Sequence, residues 1–597
     1  MSESISNERL SKRNLWGYSM GGIGRDMAYQ LVNTYLLTFI TFTKGLSNTE
    51  FAMVGVIMVI CRIFDGCNDP FMGSLIEITR TKIGKFKPWI LAGVFTNVAV
   101  IIALFCVPLR GTSYLIFFAF GYLLWGMTYT MNDISYWGMM PSLTSNPGDR
   151  NNLTTLANIG AGVGAGLSVL AIPSLTQGNL AIASNASKSY AIVSIIVCIV
   201  FFVCQIMTVF VVKEKPLPKV RVDDGEKRSL KEMFRVIFKN DQLKPVMAAM
   251  LLYSIGSGIT MALASYWIYY RFAYQGLLVT LFTVISGIST VVIVFFPILC
   301  KKHSRRWISK LSMIMIIVGY LLMFIISLAT GADPKADKVG FNVGEVFIPV
   351  TFIFTGLSGA CAFFGQTLFY QVLTISVANT VEYNEYTTGT RDEGVIFACR
   401  PFTTKLGSAA VVGITTLVVL ALGLNPTNKA ISNADYEAGQ LAIQVEQLVK
   451  DETPNFDSLS KAEQTKLIEA KKKSIETENV AKIEDIIHTN EKTKVAKWQY
   501  QTMFAFMTLL PLVILLGSFA IYFKKYNINE ERYDEICAEI ARRKLAAEGN
   551  AEVVLDGADV NELENDLASS DAETPDEIFE QETAADKISE APDEVEK

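Results

Sequence analysis

The sequence predicts an all-α polytopic membrane protein, with twelve transmembrane helices in two pseudo-symmetric six-helix bundles. Three observations predict it. Apolar runs of about 20 residues recur along the chain, the length a helix needs to cross a bilayer, and a helix satisfies its own backbone in lipid. Only 19% of the 597 residues are charged and 51% are hydrophobic, which is far from the balance of a soluble protein. Six runs, a charged linker and six more runs divide the chain into two halves.

The runs lie near 15–43, 50–78, 88–108, 113–140, 153–175, 188–213, 243–271, 275–300, 307–330, 346–379, 393–423 and 498–524. An even number of crossings puts both termini on one side. Lysine and arginine gather at Arg80–Lys87, Lys213–Lys244, Lys301–Arg306 and Lys524–Lys525, all on one face. The positive-inside rule makes that face, and both termini, cytoplasmic. The plan is then a cytoplasmic N-terminus (1–14), an N-terminal bundle (15–213), a cytoplasmic linker (214–242) and a C-terminal bundle (243–524). A polar insertion (425–497) interrupts the second bundle on the extracytoplasmic side, and an acidic, largely disordered tail (525–597) closes the chain. Within the insertion, Ser460 and Glu463 are spaced as a capping box, and Leu467, Ile468, Ile475, Val480 and Ile483 suggest a modest apolar stripe; the segment reads as a solvated helical insertion or as a substrate-capturing or partner-binding cap.

Several function classes are excluded. No basic domain supports nucleic-acid binding. The cysteines sit mostly within apolar runs without a CxxC pair and read as packing residues. The Gly84-Lys85-Phe86 triplet lacks the spacing of a phosphate-binding loop, and the two histidines, His303 and His488, form no metal motif. The chain is therefore expected to be neither an enzyme nor a nucleotide-driven pump, with no cofactor beyond a coupling ion.

What the apolar runs do carry is charge. Arg62, Asp65 and Asp69 fall at i, i+3 and i+7 of the second run, on one helix face. Arg25 and Asp26 lie in the first run, Asp133 in the fourth, and Arg400 and Lys405 in the eleventh. Ionisable groups at membrane depth cost several kcal/mol, roughly 3 to 10, unless they are paired or face a cavity. Four acids against four bases suit a mutually neutralised network. Asp65 and Asp69, one turn apart, read either as structural partners of Arg62 and Lys405 or as ligands of a hard monovalent cation. Asn68 adjoins the pair, and Thr130 of the fourth run adds a hydroxyl where the two helices face each other. A proton would need only one carboxylate. Asp26 and Asp133 suit hydrogen bonds to neighbouring sugar hydroxyls, and Trp137, one turn from Asp133, offers an apolar face to a pyranose. Tyr370 reads as a packing or a stacking aromatic, and Arg150 as a loop anchor or a ligand contact.

Four stretches carry a family resemblance: GGIGRDMA, RIFDGCNDPFMGSLIEITRTKIGKFKPWI, YTMNDISYWGMMPSLTSNPGDR, and ANTVEYNEYTTGTRDEG followed by RPFTTKLGS. On these the chain resembles the glycoside-pentoside-hexuronide:cation symporters, the major-facilitator branch that includes the bacterial melibiose permease. The resemblance implies sugar uptake across the bacterial cytoplasmic membrane, by symport with Na+ or H+ through alternating access. It implies cation ligation by Asp65 and Asp69 with Asn68 and Thr130, and sugar binding by Asp26, Asp133, Trp137 and Arg150, with Lys405 near both sites. Arg25, Tyr370 and Arg400 stand where the melibiose permease has lysine, tryptophan and glutamine, and an arginine in the pocket would suit a uronate. The expected partners are the sugar, the monovalent cation and the lipid bilayer, and a monomer is expected. The alternatives are a lipid or amphiphile carrier of the same fold, a sugar exchanger without ion coupling, and a non-transporting sensor.

Overall fold

A computed structural model of the chain describes residues 10–144, 146–214, 238–272, 274–289, 292–330, 339–343, 346–390 and 392–547. They fall into two compact units, a larger one within 1–381 and 392–529 and a smaller one within 382–391 and 530–597. The helices are α1 (Lys12–Thr43), α2 (Asn48–Ile78), α3 (Lys87–Cys106), α4 (Gly111–Met139), α5 (Pro147–Thr176) and α6 (Ala186–Val211). After the linker come α7 (Leu243–Arg271), α8 (Gly276–Ile288), α9 (Val292–Lys302), α10 (Arg305–Thr330), α11 (Val350–Thr388) and α12 (Glu393–Ala421). The insertion supplies α13 (Asn425–Ile443), α14 (Val445–Glu452) and α15 (Lys461–His488), and α16 (Lys497–Lys525) and α17 (Glu530–Ala547) follow.

Among the described residues nine helices are long and apolar enough to cross a membrane: α3 to α7, α10 to α12, and α16. The first two helices match them in length, but carry Arg25, Asp26, Arg62, Asp65 and Asp69 along the way. The eighth predicted run is two helices rather than one, α8 and α9, and the break falls beside Gly287 and Ser289, where small and polar residues weaken a helix. The tenth begins later than expected. Val346–Pro349 forms a strand antiparallel to Gly340–Val343, so the chain is not wholly helical. The β-branched residues favour the strand, and Pro349 closes it.

α1 lies along α5 and α6, α3 along α4 and α6, and α2 along α4. In the second half α7 lies along α12 and α16, and α10 along α16; the halves meet where α2 packs on α12 and α5 on α8. Small residues permit the closest approach. A Cβ on Gly160 would stand 2.5 Å from the Ser19 carbonyl oxygen, and one on Gly164 would collide with that of Ile23. Gly162 and Gly166 have nothing within 4 Å of that position. Gly160 and Gly164 thus form a small-xxx-small seam with α1, while the other two glycines face away.

Ser460 caps α15 with Glu463 returning the bond, and the expected apolar stripe is met in part, at Ile475 and Ile483 with Ile468 packed against the cluster that holds Ile475. Ile475, Asn479, Ile483, Ile486 and Ile487 are buried, whereas Leu467 is exposed. Helix α13 is not solvated: nine of its residues are buried, Asn425, Asn428, Ser432 and Asp435 among them. In the segment expected to be a disordered tail, Glu530–Ala547 is helix; 548–597, like 1–9 and 215–237 of the N-terminus and linker, lies outside the described residues.

Candidate functional site

Two cavities lie between the halves. The first, of about 690 Å³, is lined by α1, α2, α4, α11 and α12; the second, of about 550 Å³, lies among α1, α7, α8, α11 and α12. Asn33, Tyr370, Thr404 and Ser408 line both. Beyond the second cavity, toward the end that carries the insertion, the halves are in contact. The Thr41 and Tyr266 hydroxyls stand 3.0 Å apart, and Phe42 is ringed by Tyr266, Tyr269, Tyr270 and Tyr274 at centroid distances of 5.0 to 6.0 Å.

The charges sort into two separate clusters rather than one network. In the first, the buried guanidinium of Arg25 donates to Asp26 Oδ2 from Nε (3.0 Å) and Nη2 (2.5 Å), and to Asp133 Oδ1 from Nη1 (2.7 Å). Its Cζ lies 4.7 Å from the Trp137 ring and 4.8 Å from that of Tyr136. Helix periodicity makes this possible: Asp133 and Trp137 are one turn apart on α4, so acid and indole flank the same cation. Arg25 engages only Oδ1 of Asp133 and leaves Oδ2 for another partner, on a side chain that is 38% exposed.

The second cluster joins the halves. Lys405 Nζ of α12 lies 2.8 Å from Asp65 Oδ2 and 2.7 Å from Asp69 Oδ2, both on α2. Thr130 Oγ1 donates to Asp65 Oδ1 at 2.7 Å and stands 3.4 Å from Asp69 Oδ1. The Lys405 ammonium therefore sits where a cation held by both carboxylates would sit. Asp65, Thr130 and Lys405 line the first cavity together with Arg25, Asp26, Asp133 and Trp137.

Other predicted residues are placed differently. Arg62 donates to the Tyr122 hydroxyl and the Asn33 carbonyl, both at 3.1 Å, and not to Asp65 or Asp69. Its side chain points back along the turn toward α1 and α4 and meets neutral oxygens there. Arg400 likewise donates to the Tyr370 hydroxyl from Nη2 at 2.7 Å, and both line the first cavity. Asn68 is buried, and its amide nitrogen has no hydrogen-bond partner among the described residues. Arg150 lies in the first turn of α5, exposed and outside both cavity linings. The helix starts only at Pro147, after the Asn146 cap, which leaves Arg150 at the helix end. Sequence reasoning missed Tyr29, Tyr129 and Trp125, which wall the first cavity and pack ring to ring, with Tyr29 5.2 Å from Tyr129 and Trp125 5.7 Å from Tyr129. Neutral aromatics in apolar runs leave no mark to single them out.

A multi-pass helical membrane protein with a charged, aromatic-walled cavity between two helical halves has the build of a solute carrier. Over residues 17–443 the chain matches the MFS/sugar transport proteins, and it belongs to that family. It is 26% identical over 437 residues to the raffinose carrier protein of Pediococcus pentosaceus, covering 71% of this chain and 64% of that one. To the lactose permease of Lactobacillus delbrueckii subsp. bulgaricus it is 28% identical over 440 residues, covering 72% and 66%. With the isoprimeverose transporter of Lactiplantibacillus pentosus it shares 25% over 414 residues, 68% of this chain and 80% of the relative. The chain thus spans just under two thirds of the length of the first two. These relatives are carriers and permeases, not enzymes.

Proposed function

We propose that this chain takes up a sugar (a glycoside, oligosaccharide, pentoside or hexuronide) across the bacterial cytoplasmic membrane by symport with Na+ or H+. The observation that carries the reading is the shared cavity. An acid–arginine–indole cluster suited to sugar hydroxyls shares one space of about 690 Å³ with Asp65, Thr130 and Lys405, and Lys405 ties Asp69 to that second group. In this reading Asp26 and Asp133 accept from the sugar's hydroxyls, Trp137 covers its C–H face, and Tyr370 and Arg400 close the pocket from the second half. Asp65 and Asp69 take the ion, with Thr130 as a further oxygen donor. Asn68, adjacent to Asp69 and buried, is a further oxygen donor to the ion in this reading.

Coupling follows from charge balance. Lys405 is the pair's resident counter-charge, so an arriving cation displaces it and frees the α2–α12 contact. The freed carboxylates and the sugar then favour one arrangement together, and each ligand raises the affinity for the other. The chain crosses the membrane twelve times, with α8 and α9 as one broken crossing and both termini cytoplasmic, and works as a monomer by alternating access. The relatives' names support the sugar class, and the charged residues that line the first cavity, Arg25, Asp26, Asp65, Asp133, Arg400 and Lys405, disfavour a lipid.

The test is uptake of labelled galactosides, xylosides and glucuronides into proteoliposomes under an imposed sodium or proton gradient, with Asp69→Asn alongside. Accumulation driven by one gradient and abolished by Asp69→Asn, with sugar counterflow retained, is the expected result. Uptake indifferent to both gradients and to Asp69 would remove the ion from the mechanism.

A further inference from the structure

Helix α13 follows α12 through a tight turn at Gly423, whose φ of +66° suits glycine. It is thus tied to the second half of the chain, yet its side chains hold the first half. Asn425 Nδ2 donates to the Leu46 carbonyl (3.1 Å) and to Asn48 Oδ1 (2.8 Å) at the α1–α2 loop. Arg110, in the α3–α4 loop, donates to the Ser432 carbonyl (3.0 Å), Ser432 Oγ (2.8 Å) and Asn433 Oδ1 (3.0 Å), with its guanidinium carbon 4.4 Å from the Tyr436 ring centroid. At the α5–α6 loop, Asp435 accepts from the amides of Ala186 (2.6 Å) and Ser187 (3.2 Å) at the start of α6, while Asn185 Nδ2 donates to its carbonyl (3.0 Å). All three loops at that end of the first half are held by one helix.

The chemistry suits a contact that must also let go. An apolar seam of this size would lose its burial on opening, whereas carbonyls, amides and an arginine exchange their partners for water at a net cost of only about 1 kcal/mol per bond. A carboxylate on the first turn of α6 is further favoured by the partial positive charge there. Gly439 completes the fit, since any side chain at that position would run into the Asn185 amide.

We propose that α13 is a clasp that keeps the extracytoplasmic face shut, gripping the α1–α2, α3–α4 and α5–α6 loops together and releasing them each time the cavity opens to that side. This rests on the alternating-access reading and its orientation, and it assigns to the insertion a gating role. In the closed state the clasp covers the Tyr266 and Phe42 contacts that seal the second cavity. In the open state α13 swings on Gly423 with the second half.

A reversible cross-link tests it. A Cβ on Gly439 would lie 3.2 Å from Asn185 Cγ, the place a cysteine sulfur takes, so Asn185→Cys and Gly439→Cys stand within reach of a disulfide. Oxidation of the full chain in proteoliposomes is expected to cut sugar uptake at least about tenfold, and a reductant to restore it. A second measurement needs no cargo: amide exchange across 258–266 on α7, which borders the second cavity, slows on oxidation. Asp435→Ala, which removes one hold, speeds that exchange about threefold. If the chain moves no sugar in either redox state, the proposed function falls, and the exchange arm still decides the clasp. Cross-linked chain that carries sugar at the reduced rate, or exchange unmoved by both the cross-link and Asp435→Ala, would overturn it.

Discussion

Arg25 of α1 reaches Asp133 of α4 at 2.7 Å while it is also bound to Asp26. One guanidinium thus orients two carboxylates and leaves their remaining lone pairs turned to the cavity. Asp133→Asn keeps the shape and removes the charge. Sugar affinity should fall about tenfold to a hundredfold, as for loss of a hydrogen bond to a charged group worth about 1.5–3 kcal/mol. Trp137→Phe should cost far less than Trp137→Ala, because the ring and not the indole N–H does the covering. Isothermal titration with the transported sugar gives both numbers, and equal losses for the two Trp137 variants would show that the indole matters through its nitrogen.

Removing Lys405 leaves Asp65 and Asp69 side by side without a counter-charge. Lys405→Ala should therefore bind Na+ more tightly in the absence of sugar, by about tenfold or more, since the ion no longer displaces a resident ammonium. The same variant should lose gradient-driven accumulation. Sodium-dependent thermal protection measured on the two chains separates the effects; unchanged sodium affinity would mean that Lys405 does not occupy the ion's place.

Gly160, Gly162, Gly164 and Gly166 of α5 should divide by face. Gly164→Ala forces a methyl onto the Ile23 carbonyl and should cost about 1–3 kcal/mol, read as a lower unfolding temperature in detergent. Gly162→Ala meets nothing within 4 Å and should change stability by no more than about 0.5 kcal/mol. Equal effects would disprove the α1–α5 seam.

Burial raises the Asp435 carboxyl to about 6, against the pull of the Ala186 and Ser187 amides and the positive Arg110 and Lys44. Lys473, Glu476 and Glu484 of α15 share its pocket. The proton is held more tightly when α13 is packed than when the side chain is in water. Its share of the packing is therefore fully present below about pH 4, the free carboxyl's value, and is lost as pH rises through about 6. Hydrogen-exchange protection of the Ala186–Ser187 amides, corrected for intrinsic exchange rates, should rise on acidification across that window, by up to about a hundredfold. Asp435→Asn should flatten the profile; a profile that rises with pH in the unaltered chain would reverse the sign argued here.

The clusters were legible where charge interrupts an apolar run. Asp65, Asp69, Lys405, Arg25, Asp26 and Asp133 stand out because lipid tolerates them so poorly, and helix phase put Asp133 and Trp137 together. Their pairing was not legible. Counting four acids against four bases suggested one network, whereas rotamer and helix rotation send Arg62 to Tyr122 and Arg400 to Tyr370. Arg150, which reads as a loop anchor or a ligand contact, lies at an exposed helix end. Helix α13 departs furthest from its hydropathy. NPTNKAISNADYEAGQ reads as solvated because it is polar, yet its polar groups are buried on loop backbones. Hydropathy registers apolar faces, and a contact made of amides and carbonyls has none.

A seam held at three loops by one helix opens all at once or stays shut. Such a carrier spends little time ajar, and half-open states are where ions slip through without cargo. Under the proposed symport, the grip of α13 would bear on fidelity as much as on speed: it would set how many ions are lost for each sugar delivered.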